Sequence, residues 1–417
     1  MNHEKKHVLV LHRWREEYAK YPQYVDHSRN RVTYLTTSVG SDGVPREAAG
    51  SMILETIDDL TEVRAAVRTL VARFGEPGAV VALKEDDLDT AAILRADYGC
   101  PGPRIEGLLV FRDKDAMCSR IRAAGLSAPA FDRADDRSAV AAFAERHGWP
   151  LIIKPTIGSA SEGVVRVENA EELAATPLGD RPRIVQEFVE QPIFHVDGYF
   201  DGTELRRWYA SRYVGNCLDF RAGRVLGSVE DDRTERVAAI GEAATSYLAA
   251  LTAAPVVFHL ELFVAEPEPG QFRCSFLEVG ARVGGAEIPF VWREVHDHDL
   301  MADAFALQCG RLPEDPGGTR DPAGFRDLAG WLLVGAPAGR PCRITASTSM
   351  AGLVPGPYAE RVLSVGEVLP AADGFYEHVG GRFRFRGRCS SDVMAAIEKT
   401  AAAFHVAAEP LAPVHSP

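Results

Sequence analysis

The chain has 417 residues, more than one ordinary hydrophobic core organises, so we expect two or three packed domains. Hydrophobic residues make up 46% of it and charged residues 25%, which is typical of a globular protein. The formal net charge of -13 excludes broad, sequence-independent binding of nucleic acid, although a local cluster of Arg and Lys can still bind a small anion.

The N-terminal part of the chain alternates between strands and helices. Short apolar strands are predicted at His7–His12, 31–36 and 79–83. An amphipathic helix at 55–74 has its apolar residues on one face, and a further helix is predicted at 88–98. This alternation indicates a parallel sheet covered by helices.

The centre of the chain begins with two helices, predicted at 113–125 and 139–148, and an apolar strand at 149–155. Strands rich in Val, Phe and Tyr follow over 183–287, with a helix at 233–251 between them. Strands separated by turns are therefore expected in this region.

The C-terminal part begins with a stretch rich in Pro, Gly and Asp, 313–322, which predicts a linker. Short strands and turns are predicted over 330–385. A capped helix at 390–404 follows, and the tail 410–417 is predicted to be disordered.

The sequence predicts neither a secretion signal nor a membrane span. The apolar run 8–11 is too short for a signal sequence, and no apolar stretch is long enough to cross a bilayer. The seven cysteines are scattered and contain no Cys-x-x-Cys pair, which indicates thiols in a reducing compartment. We therefore expect a cytoplasmic protein.

The first motif with chemical meaning is Ile152-Ile-Lys154-Pro155, followed by the small-residue loop 158–163. A lysine at the end of an apolar strand is costly to bury unless it meets an anion. Few side chains block the backbone N–H groups of the loop, so they can approach a phosphate closely. The motif predicts a hairpin flap over a polyphosphate and is neither a Walker A loop nor a nucleophile elbow. The alternative is an ordinary hairpin whose lysine reaches solvent.

The second motif consists of two apolar strands that each carry one carboxylate, Glu261 and Glu278. If the strands pair, the two carboxylates could lie side by side, and a cation such as Mg²⁺ would relieve their repulsion. His259 shares a face with Glu261 because side chains alternate along a strand. Arg282 could bind a phosphoryl group or a substrate carboxylate as a planar fork. The alternative is an edge hairpin with solvated glutamates.

Two further motifs are weaker. The connection between strands at 184–199 offers the backbone groups and apolar walls that an adenine ring needs, and Glu190 could accept from ribose, but a plain connection fits equally well. Lys114 opens a helix, where the dipole disfavours a cation unless an anionic ligand is near. The run His296-Asp-His-Asp299 is interpreted as a polar helix start, because adjacent residues rarely converge on one metal ion.

Taken in order over 8–406, these motifs resemble those of the ATP-grasp superfamily, and especially its L-amino-acid ligase and carnosine-synthase-like branch. The resemblance implies an α/β and α+β multidomain fold. A parallel α/β domain at 1–112 would precede a lid with its entry helix at 113–190. An antiparallel C-terminal domain with the metal site at 191–325 and a β-rich appendage with a closing helix at 326–410 would follow.

The resemblance also implies a role for individual residues. Arg282 and Lys154 would be catalytic, and Glu261 and Glu278 would hold Mg²⁺, or Mn²⁺ in its place. The residues expected to contact the substrates are His259, Arg282, Gly284 and Gly285. The residues expected to contact ATP are Lys114, Lys154, Ser159, Ala160, Ser161, Gly163, Glu187, Phe188, Val189, Glu190 and His195.

Two positions depart from the pattern of the superfamily. Gly280 stands where most members have a metal-binding asparagine, so that contact is lost or supplied by water. Ile193 stands near the usual ribose-binding glutamate, and Glu190 or His195 would have to replace it.

The resemblance implies an ATP-dependent carboxylate-amine ligase that forms an amide or peptide bond through an acyl phosphate and releases ADP and phosphate, in natural-product or amino-acid metabolism. Its expected partners are small carboxylates and amines, amino acids among them, with no nucleic acid and no membrane. A carrier-protein acceptor and a homodimer remain open. The alternatives are a bicarbonate-activating enzyme similar to biotin carboxylase and a nucleotide-binding module without ligase activity.

Overall fold

A computed structural model describes residues 5–14, 17–159, 161–313, 327–337, 339–371 and 379–411. Ala160, the linker residues 314–322 and the tail 412–417, on which the sequence makes predictions, lie outside the described residues. In the described ranges, no helix combines the length and the apolar character that a membrane span requires.

The N-terminal part forms a parallel sheet in the order β3-β2-β1-β4, as predicted. Its helix α2 begins at Leu60, later than predicted, because Asp59 caps it by accepting from the backbone N–H groups of Thr61 and Glu62. The elements are β1 (His7–His12), α1 (Tyr21–Tyr24), β2 (Arg31–Thr37), β3 (Gly50–Leu54), α2 (Leu60–Phe74), β4 (Ala79–Ala82), α3 (Leu88–Asp97) and α4 (Ile105–Leu108).

The next part forms an antiparallel sheet in the order β5-β8-β6-β7. β6 and β7 pair as a hairpin, with Leu151 opposite Val167, so the small-residue loop is the hairpin connection that the sequence predicts. The elements are α5 (Lys114–Ala123), β5 (Phe131–Arg133), α6 (Arg137–His147), β6 (Leu151–Pro155), β7 (Val165–Val167), α7 (Ala170–Ala175) and β8 (Arg183–Glu187).

The C-terminal part is built on an eight-stranded antiparallel sheet in the order β13-β12-β9-β10-β11-β14-β18-β16. With the parallel sheet and the lid sheet, it confirms the predicted mixed α/β and α+β class. The elements are β9 (Ile193–Phe200), β10 (Leu205–Val214), α8 (Cys217–Arg221), β11 (Leu226–Glu230), α9 (Thr234–Leu251), β12 (Val256–Glu268), β13 (Gln271–Gly280), α10 (Ile288–Val295), α11 (Leu300–Gln308), β14 (Leu328–Gly335), β15 (Cys342–Ser347), β16 (Ala359–Val362), β17 (Val368–Leu369), β18 (Val379–Gly387), α12 (Ser390–Ala403) and β19 (Val406–Pro410).

The last segment of the chain is not a separate β-rich unit throughout. β14 pairs with β11, and β18 and β16 continue from it, so these strands extend the same sheet that contains β12 and β13. Only β17, β15 and β19 form a sheet of their own. The extension pairs the edge of β11, which would otherwise present unpaired backbone groups. The division of the chain into domains stays a prediction.

Gly198 in β9 lies opposite an irregularity in β10, between Leu205 and Trp208. A Cβ atom added at Gly198 would collide with the carbonyl oxygen of Arg207 and lie 2.7 Å from the Cβ of Trp208. We expect Gly198→Ala to lower the free energy of unfolding by about 1–3 kcal/mol, the usual cost of overpacking. Gly107→Ala is the control, since its added carbon meets nothing within 4 Å. Urea unfolding followed by circular dichroism compares them, and equal stability of both variants would contradict the prediction.

Candidate active site

The two strands that carry carboxylates pair as the sequence predicts. β12 and β13 run antiparallel with Glu261 directly opposite Glu278. β9 borders β12 on its other side, with His195 opposite Glu261 and Asp197 opposite His259. Paired residues point to the same face of a sheet. Glu278, Glu261 and His195 therefore form one row on this face, and His259 and Asp197 form the neighbouring row.

Glu261 is contacted at one of its two oxygens. The hydroxyl of Tyr213 donates to Oε1 at 2.7 Å, and Nε2 of His259 lies 3.4 Å from the same atom. Burial alone would lower the pKa of His259, but the charge of Asp197 and its hydrogen bond outweigh burial and raise this pKa to about 9. Burial would raise the pKa of Glu261, yet the contact with His259 lowers it. Both groups are therefore charged at neutral pH.

Lys114, the first residue of α5, links the hairpin loop to the carboxylate strands. Its Nζ lies 3.4 Å from Oε2 of Glu278 and donates to the carbonyl oxygen of Gly158 at 3.0 Å. Asp113 caps α5 by accepting from two backbone N–H groups, which fixes the start of the helix at Lys114. The helix dipole disfavours a cation at this position, and the carboxylate of Glu278 offsets that effect for Lys114.

Lys154 is the last residue but one of β6, with only 4% of its surface exposed. Burial lowers the pKa of Lys154, and the negative charges of Glu278 and Glu261 oppose that effect. The backbone N–H of Lys114 donates to the carbonyl oxygen of Thr156 at 2.8 Å, which joins the end of β6 to the residue that contacts Glu278. The structure therefore brings together the lysine, the loop and the two glutamates, whose roles in a reaction stay predictions.

Arg282 has a partner that the sequence analysis missed. Its Nε donates to Oε2 of Glu85 at 2.7 Å, and NH1 of Arg112 lies 3.0 Å from Oε1 of Glu85. Burial would raise the pKa of Glu85, but the charges of Arg282 and Arg112 outweigh burial and lower it. A Cβ atom added at Gly280 would lie 3.3 Å from Cγ of Arg282 and 3.7 Å from Oε1 of Glu85. These two side chains therefore fill the space beside Gly280.

Two patterns in the sequence could have indicated the missed residues. Asp197 follows His195 at the two-residue spacing of one strand face. Glu85 follows the parallel strand β4, at the carboxyl edge of the sheet, where polar side chains of binding sites collect. Neither pattern says which distant residue the side chain meets.

The connection after β8 is the predicted place for a nucleobase. The backbone N–H groups of Glu187 and Phe188 already donate to the carbonyl oxygens of Ala130, at 3.0 Å, and Pro150, at 3.3 Å. A base bound here would therefore need the carbonyl groups of this connection, or the N–H groups of 189–190. The predicted contacts of Ser159, Ser161 and Gly163 lie in the hairpin loop, where Ser161 has a φ of 56°.

His195, a predicted contact of ATP, lies opposite Glu261. It is 2% exposed, on the face of β9 that also carries Asp197. Its Nδ1 lies 2.6 Å from Oδ2 of Asp197, and its Nε2 lies 2.7 Å from Oγ of Ser228. Both ring nitrogens are thus engaged, and the suggestion that His195 replaces a ribose-binding glutamate stays a prediction. Strand alternation puts His195 on the same face of the sheet as Glu261 and Asp197.

The site has a donor set that suits a hard divalent cation. Glu261 and Glu278 offer carboxylate oxygens from facing positions, and their side chains are 14% and 38% exposed. Such cations prefer oxygen ligands and usually take one or two carboxylates together with phosphate oxygens. Lys114, Lys154 and Arg282 surround this pair with positive charge, so the arrangement can bind a metal and a polyanion together.

Part of the sequence is similar to that of a known ligase. No family model matches the sequence. The L-arginine-specific L-amino acid ligase of Bacillus subtilis is 25% identical over 272 residues, which are 63% of this chain and 64% of that ligase. The match thus spans less than two thirds of the length of that curated relative.

Solved structures share the fold over nearly the whole chain. The L-amino acid ligase from Bacillus licheniformis has a TM-score of 0.76 at 17% identity and covers 97% of this chain and 99% of its own. The biotin carboxylase domain of a 2-oxoglutarate carboxylase from Hydrogenobacter thermophilus, solved with MgADP and bicarbonate, has a TM-score of 0.68 at 13% identity over 98% and 92%. These likenesses establish the architecture.

Proposed function

We propose that this chain is a member of the ATP-grasp superfamily that uses ATP to activate a small carboxylate as an acyl phosphate and then joins it to an amine, supported by its similarity to two L-amino acid ligases. One observation carries the proposal. Glu261 faces Glu278 across two paired strands, while Lys114 contacts both Glu278 and the hairpin loop at Gly158. Two carboxylates suited to a divalent cation and a loop suited to phosphates are thus joined through Lys114.

The reaction would begin with attack of the substrate carboxylate on the γ-phosphorus of ATP, with loss of ADP. Its transition state is loose and needs positioning and charge neutralisation more than covalent help. Mg²⁺, which suits Glu261 and Glu278, would neutralise charge on the transferred phosphoryl group. Lys114 and Lys154 would hold phosphate oxygens, and Arg282 would orient the acyl phosphate as a planar fork.

In the second step the amine nitrogen would attack the acyl carbon. A carbon–nitrogen bond forms, the carbon–oxygen bond to phosphate breaks, and the amine loses its proton. The hairpin loop 158–163 would cover the intermediate, since an acyl phosphate hydrolyses when water reaches it. The adenine would lie at the connection 187–190, between the lid sheet and the eight-stranded sheet.

We further infer that amino acids are among the substrates, supported by the similarity to two L-amino acid ligases. A place in natural-product or amino-acid metabolism follows from that substrate class. Because specificity depends on the shape of the pocket rather than on the fold, both the acid and the amine must be found by experiment.

The test is a screen for ADP release over pairs of amino acids and small acids, with mass detection of products. We expect ADP release that depends on an acid, and formation of a hydroxamate when hydroxylamine replaces the amine, because hydroxylamine traps an acyl phosphate. ADP release with bicarbonate alone would favour the bicarbonate-activating alternative. Binding of ADP without turnover over the whole panel would favour a nucleotide-binding module and contradict the ligase.

A further inference from the structure

We propose that Asp197 and His259 are positioning residues that orient Glu261 and leave one of its oxygens open to the divalent cation. The inference rests on the proposed function, because it takes Glu261 as a metal ligand. Asp197 lies on β9 and His259 on β12, directly opposite one another. Neither role is implied by the motifs that first drew attention to this region.

The contacts of the Glu261 carboxylate with Tyr213 and His259 involve the same oxygen, Oε1. Oε1 accepts from the hydroxyl of Tyr213 at 2.7 Å and faces Nε2 of His259 at 3.4 Å. Within the part of the chain that the structure describes, no hydrogen-bond donor contacts Oε2. The hydrogen bond from Tyr213 and the ion pair with His259 both hold Oε1, so the carboxylate does not turn freely and Oε2 keeps one direction. Partners of this kind orient metal ligands in many proteins.

His259 is itself held by a chain of buried hydrogen bonds. Its Nδ1 lies 2.8 Å from Oδ1 of Asp197, and Oδ2 of Asp197 lies 2.6 Å from Nδ1 of His195. Nε2 of His195 then lies 2.7 Å from Oγ of Ser228 on β11. The exposed fractions of the two histidines and of Asp197 are between 2% and 7%. The chain of contacts fixes the ring of His259 so that its Nε2 faces Glu261.

The loop after Arg282 packs directly on this chain. A Cβ atom added at Gly284 would collide with Oδ1 of Asp197 and with Cδ1 of Ile288, and would lie 2.9 Å from Nδ1 of His259. A Cβ atom added at the next residue, Gly285, would meet nothing within 4 Å. Gly284 is therefore required at the hydrogen bond between Asp197 and His259, whereas Gly285 is not. The two neighbouring glycines form a matched pair for an experiment.

The same three side chains could in principle hold a metal themselves. Ligand atoms of His195, Asp197 and His259 all lie within 4.8 Å of one another. The separations of 2.6 Å and 2.8 Å are those of charge-assisted hydrogen bonds. Ligand atoms around an ion with bonds of about 2.0–2.1 Å lie roughly 3 Å or more apart. We therefore interpret these contacts as hydrogen bonds and not as the ligands of a metal ion.

The test measures Mn²⁺ binding in the presence of ADP by electron paramagnetic resonance, which needs no turnover. We expect Asp197→Asn and Gly284→Ala to raise the Kd for Mn²⁺ by about 10–100-fold, the usual effect of removing the partner of a metal ligand. Gly285→Ala should leave this Kd at the parental value. Ser228→Ala, which removes only the outermost hydrogen bond, should have a smaller effect than Asp197→Asn.

Thermal unfolding establishes which variants are folded. If Asp197→Asn does not fold, the Mn²⁺ affinity of Gly284→Ala tests the positioning role. Folded variants with parental Mn²⁺ affinity overturn the proposal, and so does stoichiometric zinc in the purified parent. A parent that binds no Mn²⁺ with ADP overturns it together with the proposed function. If the parent binds Mn²⁺ with ADP but forms no ADP from ATP, only the proposed ligase activity is contradicted. The Mn²⁺ affinities of the variants still test the positioning role.

Discussion

Replacing Lys154 with methionine should lower the rate of ADP release by about 10²–10³-fold, the usual cost of removing one preorganised electrostatic contact. Methionine keeps most of the volume of the side chain and removes its charge. Lys154 is 4% exposed, and the negative charges of Glu278 and Glu261 act on its pKa, so its replacement removes a buried positive charge from the site. The measurement is the maximal rate of ADP release at saturating ATP and acid.

The stability of the same variant separates this role from a structural one. A buried amine is costly to desolvate, so Lys154→Met should unfold at a temperature equal to or above that of the parent. Lys5→Met, at an exposed position before β1, is the control and should change neither rate nor stability. Full turnover by a folded Lys154→Met protein would refute the catalytic assignment of this lysine.

The parts of the site that the sequence predicts are those set by local geometry. β12 and β13 are consecutive strands joined by a tight turn, so the sequence predicts that they pair, while a register shift between Glu261 and Leu262 brings Glu278 opposite Glu261. The hairpin around the small-residue loop follows in the same way from a lysine, a proline and glycines in sequence. In both cases the interacting residues are neighbours along the chain, and turn chemistry limits the register.

The parts that the sequence does not predict depend on distant contacts. Glu85 and Arg282 are 197 positions apart, and no periodicity relates a loop of the N-terminal sheet to a loop after β13. The pairing of β14 with β11 is of the same kind, which explains why the last segment is expected as a separate appendage. His195 shows a third limit, because the sequence does not say that its Nε2 meets Ser228, which lies on another strand.

Replacing Glu85 with glutamine should lower both the stability of the protein and its activity. The carboxylate lies between Arg282 and Arg112, at 2.7 Å and 3.0 Å, and all three side chains are largely buried. Without its charge the two guanidinium groups repel one another, and the free energy of unfolding should fall by about 3 kcal/mol, as in other broken buried ion pairs. Guanidinium chloride unfolding measures this loss.

The activity should fall because Arg282 loses the partner that aims it. A displacement of about 1 Å in a positioning group can cost roughly 100-fold in rate, and we expect a loss of that order in kcat/KM for the acid. Arg112 offers a second substitution, since Arg112→Met removes the cation that competes for Glu85.

In the Glu85→Gln background, Arg112→Met should restore part of the lost stability. The substitution removes the guanidinium group that repels Arg282 once the carboxylate between them is gone. Groups that share a partner in this way show coupling energies of about 0.5–3 kcal/mol in a double-mutant cycle. Activity should recover less than stability, because the single remaining cation, Arg282, is still without the acceptor that holds its Nε. Strictly additive losses in both measurements would show that Glu85 does not join the two arginines.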